Sequence, residues 1–77
     1  MTISKGTVKF WLPEEGWGSI LIEGLNTECF AHFSSILQRE HEFLELTPGE
    51  EVDLVWHEAE QDEFHAVADR VERRNRF

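Results

Sequence analysis

Two neighbouring segments, EGWGSILI at positions 15–22 and CFAHF at positions 29–33, carry the strongest pattern in this chain. Successive side chains of a β-strand point to opposite faces, so the first segment places Gly18, Ile20 and Ile22 on one face. The residues that this alternation assigns to the other face are Trp17, Ser19, Leu21, Phe30 and His32. A sheet in water does not normally expose large aromatic rings without a use for them, so this second face is a candidate binding surface.

Length and cysteine content limit the class of protein. Seventy-seven residues predict one domain with a small core, and the single cysteine, Cys29, excludes an internal disulfide bond. Cys29 lies among apolar residues, which indicates a small buried side chain. No apolar run reaches membrane-spanning length, and the first ten residues lack the apolar core of a signal peptide. The sequence therefore predicts a cytoplasmic protein with no membrane partner.

The distribution of charge argues against a general attraction to polyanions. The formal net charge is −9, and between residues 10 and 69 the only lysine or arginine is Arg39, against fifteen acidic residues. The other cations lie near the two ends of the chain, and they are Lys5, Lys9, Arg70, Arg73, Arg74 and Arg76. A chain this acidic needs a local basic patch to hold phosphates. Charge alone thus disfavours a nucleic-acid partner, whereas the exposed aromatic rings favour one.

Alternation and turn residues predict an all-β fold of five short strands. The predicted strands cover residues 5–12, 17–22, 28–33, 51–57 and 64–71. The predicted interior residues are Ile20, Ile22, Val52 and Leu54, and in the first strand Val8 and Phe10 alternate with Lys9 and Trp11. Three strands joined by short turns form an antiparallel meander, and two more after a long connection favour a small closed barrel without exposed edges.

The remaining segments are predicted as connections and a tail. Residues 34–37 have the composition of a short helical turn with Ser34 as its cap, and residues 38–46 form a long acidic loop in which Phe43 is exposed. Residues 58–63 are expected to form an acidic hairpin tip. The predicted domain organisation is a barrel over residues 1–71 followed by a short basic tail over residues 72–77.

Four segments in this order make the chain resemble the bacterial cold-shock protein family. The segments are KGTVKFW at 5–11, EGWGSI at 15–20, CFAHFSSI at 29–36 and LTPGEEV at 46–52. The resemblance covers nearly the whole chain and implies a five-stranded antiparallel Greek-key barrel of the OB-fold, cold-shock domain type. It also implies binding of single-stranded RNA or DNA by stacking of bases on exposed aromatic rings, as in an RNA chaperone.

The resemblance carries a set of binding residues over to this chain. The residues that match the family's nucleic-acid-binding positions are Lys9, Phe10, Trp11, Trp17, Phe30, His32, Phe33 and Phe43. Phe10 stands where the family usually has an exposed Trp, and Trp11 stands where it has Phe. We expect Phe10, Trp17, Phe30 and His32 to lie together on one exposed face.

Four positions depart from the family's pattern. Glu15 stands where the family usually has Lys, Ser19 replaces an exposed Phe, Leu12 replaces a usual Asn, and Leu21 replaces a residue that is commonly polar or acidic. Stacking of one base on one aromatic ring contributes roughly 1–3 kcal/mol, so the missing ring and the reversed charge predict weaker binding than is usual. Restoring the family residues at positions 15 and 19 is expected to raise the affinity.

The chemistry-bearing residues predict no catalysis and no cofactor. His32, Cys29 and the histidines at 41, 57 and 65 lack the spacing of a metal site, and Ser34 near His32 has no third orienting group that would make a hydrolase. Trp56 and Phe64 are interpreted as core residues. The sequence thus predicts a binding protein that is not an enzyme and holds no metal.

Two questions stay open at this stage. The exposed Trp, Phe and Leu side chains favour, as the alternative to nucleic acid, a barrel that binds a protein or a second copy of itself as a weak homodimer. The tail arginines, which begin at Arg70, either balance charge or supply the phosphate contacts that Glu15 does not.

Overall fold

A computed structural model describes residues 2–37 and 45–74 of the chain. The elements are β1 (Thr2–Leu12), β2 (Trp17–Ile22), β3 (Thr27–His32), a 3₁₀ helix (Phe33–Ser35), β4 (Glu51–Gln61) and β5 (Phe64–Arg73). The predicted all-β class with five strands is therefore confirmed. The predicted loop residue Phe43 lies outside the described residues.

The five strands close into one barrel in the order β1-β2-β3-β5-β4, with β4 pairing back onto β1. The meander β1-β2-β3 is antiparallel, as predicted, and β4 pairs antiparallel with both β1 and β5. β3 and β5 run parallel, with Phe30 opposite Val67. This parallel pairing is the one departure, among the described strands, from a purely antiparallel barrel, and it brings β5 beside β3, the last strand of the meander.

The barrel interior contains the residues that alternation assigned to it. Ile20 and Val52 are fully buried, and Ile22 and Leu54 are 1% exposed. Full burial of a side chain of this size stabilises the fold by about 1.5–3 kcal/mol. The remaining buried apolar residues of this core are Val8, Trp11, Cys29, Ala31, Ile36, Leu46, Ala66, Ala68 and Val71. The predicted phase of β2 and β4 is therefore confirmed.

A β-bulge in β1 changes which residues of that strand face outward. Val8 pairs with Ile20, but the next paired residue, Phe10, faces Ser19, so one extra residue of β1 lies between the two pairs. Phe10 consequently turns to the outer face while Trp11 turns inward and is only 7% exposed. The prediction that Phe10 shares the face of Val8 is wrong, because a regular alternation does not allow for a bulge.

Gly18 makes room for the inward ring of Trp11. A Cβ atom at Gly18 would lie 2.6 Å from Cε3 of Trp11 and 2.3 Å from the carbonyl oxygen of Phe10. Both distances are shorter than real Cβ contacts, so only glycine allows β2 to pack this closely against β1. The glycine between Trp17 and Ser19 is thus required by packing rather than by a turn.

The β2–β3 turn follows the prediction, whereas the β4–β5 turn is tighter than predicted. In the first turn Gly24 and Asn26 have φ values of 87° and 54°, the left-handed region that these residue types tolerate. β4 extends to Gln61, which pairs with Phe64, so the acidic hairpin tip contains two residues, Asp62 and Glu63, instead of six. Strand pairing continues to Gln61 with a register irregularity after Glu58, because Glu58 and Glu60 can point into solvent.

Three further predictions are settled by local contacts. Trp56 packs against the core and its Nε1 donates a hydrogen bond to Ser4 Oγ at 3.0 Å, so its assignment to the core is confirmed. The 3₁₀ helix is capped by His32, whose Nδ1 accepts the backbone N–H of Ser34 at 3.2 Å, and not by Ser34 itself. β5 ends at Arg73, two residues beyond the predicted end of the last strand.

Arg73 ties the end of β5 to the segment before β4. Its Nε lies 2.6 Å from Glu50 Oε2 and its second terminal nitrogen lies 3.3 Å from Glu50 Oε1. The two side chains are only 19% and 10% exposed, so this ion pair is largely removed from water. Arg73 is therefore part of the barrel and not of the tail predicted for residues 72–77.

Candidate functional site

Four aromatic rings from four strands meet on the outer face of the barrel, and we call them the aromatic cluster. Its members are Phe10 on β1, Trp17 on β2, Phe30 on β3 and Phe64 on β5. The centroids of Trp17 and Phe30 are 5.3 Å apart with an interplanar angle of 26°, whereas Phe10 meets Trp17 edge-on at 5.7 Å. All four residues are half-buried, so each contributes part of its surface to the outer face.

Phe64 is a member of this site that the sequence assigned to the core. Its ring lies 6.1 Å from Trp17 and 5.8 Å from Phe30, edge-on to the first at 83° and at 61° to the second. Alternation within β5 puts Phe64 in phase with Ala66 and Ala68, which are buried, so the sequence pattern indicated an interior ring. The prediction is wrong because the pairing of β5 with β3 brings Phe64 to the rings of the neighbouring strands.

His32 and Phe33 form a second pair of rings beside the aromatic cluster. Their centroids are 4.5 Å apart with an interplanar angle of 38°, and His32 lies opposite Trp17 in the register of β2 and β3. Phe33 is 40% exposed. Nδ1 of His32 accepts the backbone N–H of Ser34, so the proton of the neutral imidazole lies on Nε2.

Trp11 is corrected from an exposed stacking residue to a core residue. It is 7% exposed, and its Nε1 atom is buried without a hydrogen-bond partner. A nucleobase cannot stack on a ring that the barrel interior already covers. Of the predicted binding residues, the structure thus brings Phe10, Trp17 and Phe30 together and places His32 and Phe33 beside them. Trp11 lies in the barrel interior and is not part of this surface.

Lys9 lies near the aromatic cluster, but an acidic partner already matches its charge. Its Nζ is 2.6 Å from Glu28 Oε2, and the other oxygen of Glu28 accepts a hydrogen bond from Ser19 Oγ at 2.9 Å. Hydrogen bonds from Lys9 and then Ser19 lower the pKa of Glu28, because both favour its ionised form. Ser19 is fully buried, so the position of the missing family ring is enclosed rather than open.

Carboxylates border the aromatic rings. Glu15 accepts a hydrogen bond from Trp17 Nε1 at 3.1 Å, which holds a negative charge at the edge of the indole. Glu28 lies beside Phe10 and Trp17, and Asp62 and Glu63 lie on the β4–β5 turn next to Phe64. The electrostatic environment of the rings is therefore acidic.

The described tail arginines lie away from the aromatic cluster. Phe64 begins β5 and Arg73 ends it, which separates them by roughly 30 Å at about 3.3 Å per residue. Arg73 pairs with Glu50, and Arg74 lies 3.4 Å from Glu51 and 3.7 Å from Asp53. These two arginines balance carboxylates of β4 and the segment before it, so the hypothesis of phosphate contacts at the rings is wrong for Arg73 and Arg74. Arg76 lies outside the described residues.

Cys29 is part of the core and not of the site. Burial raises the pKa of its thiol to about 12, and the negative charge of Asp69 adds to the shift. Among residues 2–37 and 45–74, no group of three or more His, Cys, Asp or Glu side chains could hold a metal ion. The same part of the chain contains no helix long and apolar enough to cross a membrane.

A closed five-stranded barrel with the strand order β1-β2-β3-β5-β4 is consistent with the OB-fold class of small β-barrels. The chain is 40% identical over 53 residues to cold shock protein CspA of Staphylococcus saprophyticus, which covers 69% of this chain and 79% of that protein. Cold shock proteins CspA of Staphylococcus aureus and Staphylococcus haemolyticus match with the same identity and coverage. No family model matches the chain. At this identity and coverage, the chain belongs to the cold-shock protein family.

Proposed function

We propose that this protein binds single-stranded RNA or DNA by stacking bases on the aromatic cluster and on the His32–Phe33 pair. The observation that carries this proposal is the meeting of four rings from β1, β2, β3 and β5 on one outer face. Membership of the cold-shock family supports nucleic-acid binding, and a binding protein rather than an enzyme, at the level of the family.

The rings supply affinity that does not depend on base sequence. Each stacked base contributes roughly 1–3 kcal/mol, because every base has a flat aromatic face. The Nε2 proton of His32 adds a hydrogen-bond donor for a base edge. A short strand that covers the aromatic cluster and then His32 and Phe33 would use both sets of rings.

Binding is expected to be weaker than is usual in the family and only slightly dependent on salt. Lys9 is already paired with Glu28, and Glu15 holds a negative charge at the edge of Trp17. Each phosphate contact on a single strand contributes a slope of about 0.7 in log affinity against log salt. Lys9 is the one lysine or arginine at the rings among the described residues. We therefore expect a slope of log affinity against log salt that is no steeper than that of a single phosphate contact.

Self-association or protein binding through the Trp, Phe and Leu side chains stays the alternative. Ser19 is fully buried and adds no surface for such an interaction, while Leu21 is 37% exposed on the outer face of β2. Sedimentation velocity over a hundredfold range of protein concentration distinguishes the alternatives, since a weak homodimer predicts a sedimentation coefficient that rises with concentration.

The location of the protein in the cytoplasm also stays a prediction.

A fluorescence titration tests the proposed function. Oligo-dT and oligo-rU are added at low and moderate salt while the tryptophan emission is recorded. Saturable quenching with a shallow salt dependence is expected, and the variant Trp17→Phe, which keeps an aromatic ring, should bind while losing most of the signal change. The absence of saturable binding to either oligonucleotide at low salt would refute the proposal.

A further inference from the structure

A cleft with both aromatic and acidic walls lies between the β2–β3 turn and the β4–β5 turn, and we call it the acidic cleft. Its volume is about 810 Å³. The lining side chains that matter here are three rings and three carboxylates: Phe10, Trp17, Phe64, Glu28, Asp62 and Glu63. The acidic cleft shares its rings with the aromatic cluster, but it does not include Phe30, His32 or Phe33.

The carboxylates of the acidic cleft differ in whether a cation neutralises them. Glu28 is matched by Lys9. Asp62 and Glu63 are both exposed, and neither side chain has an ion-pair or hydrogen-bond partner within the described part of the chain. Asp62 lies in a tight turn with φ of 55°, and this turn places both residues next to Phe64. Two unmatched negative charges thus adjoin the faces of aromatic rings.

Carboxylates next to aromatic rings favour the binding of a planar cation over that of a phosphate. A guanidinium group over an aromatic face is attracted by the negative face of the ring, and the same group donates two parallel hydrogen bonds to a carboxylate. A phosphate in the same place meets the negative charges of Asp62 and Glu63. Among the described residues that line the cleft there is no lysine or arginine, and His65 is already bonded to Glu60 through Nδ1. The acidic cleft is therefore complementary to arginine side chains in both charge and shape.

We propose that the acidic cleft docks an arginine-rich segment of a partner protein. An arginine of that segment stacks on Trp17 or Phe64 and forms its hydrogen bonds with Asp62 or Glu63. Arginine is preferred to lysine because an ammonium group neither stacks on a ring nor donates in a fixed fork. The proposal does not rest on nucleic-acid binding, but the two ligands share Phe10 and Trp17 and therefore compete.

The test is a calorimetric and fluorescence titration of the full chain with a hexa-arginine peptide. The variant D62N/E63Q removes the two unmatched charges, and E14Q/E45Q removes two exposed charges elsewhere, so both variants have the same net charge. We expect at least a tenfold loss of affinity in the first and less than a twofold loss in the second. An equal loss in both would reduce the interaction to general charge attraction and overturn the proposal.

Two further measurements test whether the guanidinium group is recognised and whether the same cleft affects nucleic-acid binding. A hexa-lysine peptide should bind at least fivefold more weakly than hexa-arginine, and equal affinity would contradict guanidinium recognition. The variant D62N/E63Q should keep or raise its affinity for oligo-dT, because it removes negative charge. If hexa-arginine binds as expected while oligo-dT does not bind at all, the proposed function fails and the docking site stands. If oligo-dT binds while hexa-arginine does not, the docking site fails and the proposed function stands.

Discussion

The indole of Trp17 stacks on the ring of Phe30 with centroids 5.3 Å apart and planes inclined by 26°. Such a pair is worth about 0.5–1.5 kcal/mol beyond the burial of its area. Phe10 adds an edge contact to Trp17, and Phe64 adds edge contacts to both rings. The rings are therefore ordered before a ligand arrives, which lowers the entropy lost on binding. The same contacts mean that one substitution in the cluster affects both stability and affinity.

Replacement of Phe30 by alanine is expected to lower the affinity for oligo-dT by about 1–3 kcal/mol, because it removes one stacking ring. The structure adds a moderate loss of stability, since Phe30 contacts both Trp17 and Phe64. Titration and thermal unfolding of the same variant measure the two effects. Ile3→Ala is the control, because Ile3 is 77% exposed outside the cluster. If Phe30→Ala unfolded the protein, Phe30→Leu would supply the affinity measurement; a folded variant with unchanged affinity contradicts the site.

Replacement of Glu15 by lysine is expected to raise the affinity for single strands and to steepen the salt slope by about 0.7, because it exchanges a repelling charge for a phosphate contact. Glu15 is bonded to Trp17 Nε1, so its side chain already lies at the ring edge. Titrations at several salt concentrations measure the slope. Glu14→Lys makes the same change of charge one residue away, and an equal effect of both substitutions would show that only the net charge matters.

Replacement of Ser19 by phenylalanine is expected to destabilise the protein by about 1–3 kcal/mol instead of restoring a stacking ring. Ser19 is fully buried and its hydroxyl is bonded to Glu28, so a larger side chain must displace its neighbours. Urea unfolding measures the loss, with Ser19→Ala as the control that removes only a hydrogen bond. A stable Ser19→Phe variant with raised affinity would show that the enclosed position can open.

The carboxyl group of Glu28 is expected to titrate below its ordinary pKa of 4.5, because Lys9 and Ser19 donate hydrogen bonds to its ionised form. A lowered pKa in the folded state means that these contacts stabilise the protein above the unfolded-state pKa and that the contribution disappears as the pH falls through the folded-state value. Carbon-detected NMR titration measures the midpoint. In the variant Lys9→Met the midpoint should move up, and an unchanged midpoint would mean that Lys9 does not determine it.

Replacement of Arg73 by alanine is expected to lower the free energy of unfolding by on the order of 3 kcal/mol, because it removes the cation that pairs with the mostly buried Glu50 carboxylate and leaves that carboxylate with the backbone N–H of Thr47. Denaturant unfolding measures the change. Arg70→Ala, at an exposed position of the same strand, should stay within about 0.5 kcal/mol of the parent protein. Equal effects of the two substitutions would show that the Arg73–Glu50 pair does not hold the end of β5.

The sequence by itself determined the parts of this protein that depend on local pattern. The alternation of Ile20 and Ile22 with outward residues fixed the phase of β2, and the same reasoning placed Val52 and Leu54 in the interior. Turn chemistry located the β2–β3 connection, and the resemblance to the cold-shock family indicated the barrel. The strand phases and the turn follow from the period of two along a strand and from the backbone preferences of single residues.

Only the tertiary structure decided which rings and charges meet. The bulge after Val8 turns Phe10 outward and Trp11 inward, and the parallel pairing of β3 with β5 brings Phe64 to the cluster. The pairing of Lys9 with Glu28 likewise joins residues nineteen positions apart. A local period carries no information about an extra residue in a strand or about a partner from a distant segment, because both are set by how separate strands fit together when the barrel closes.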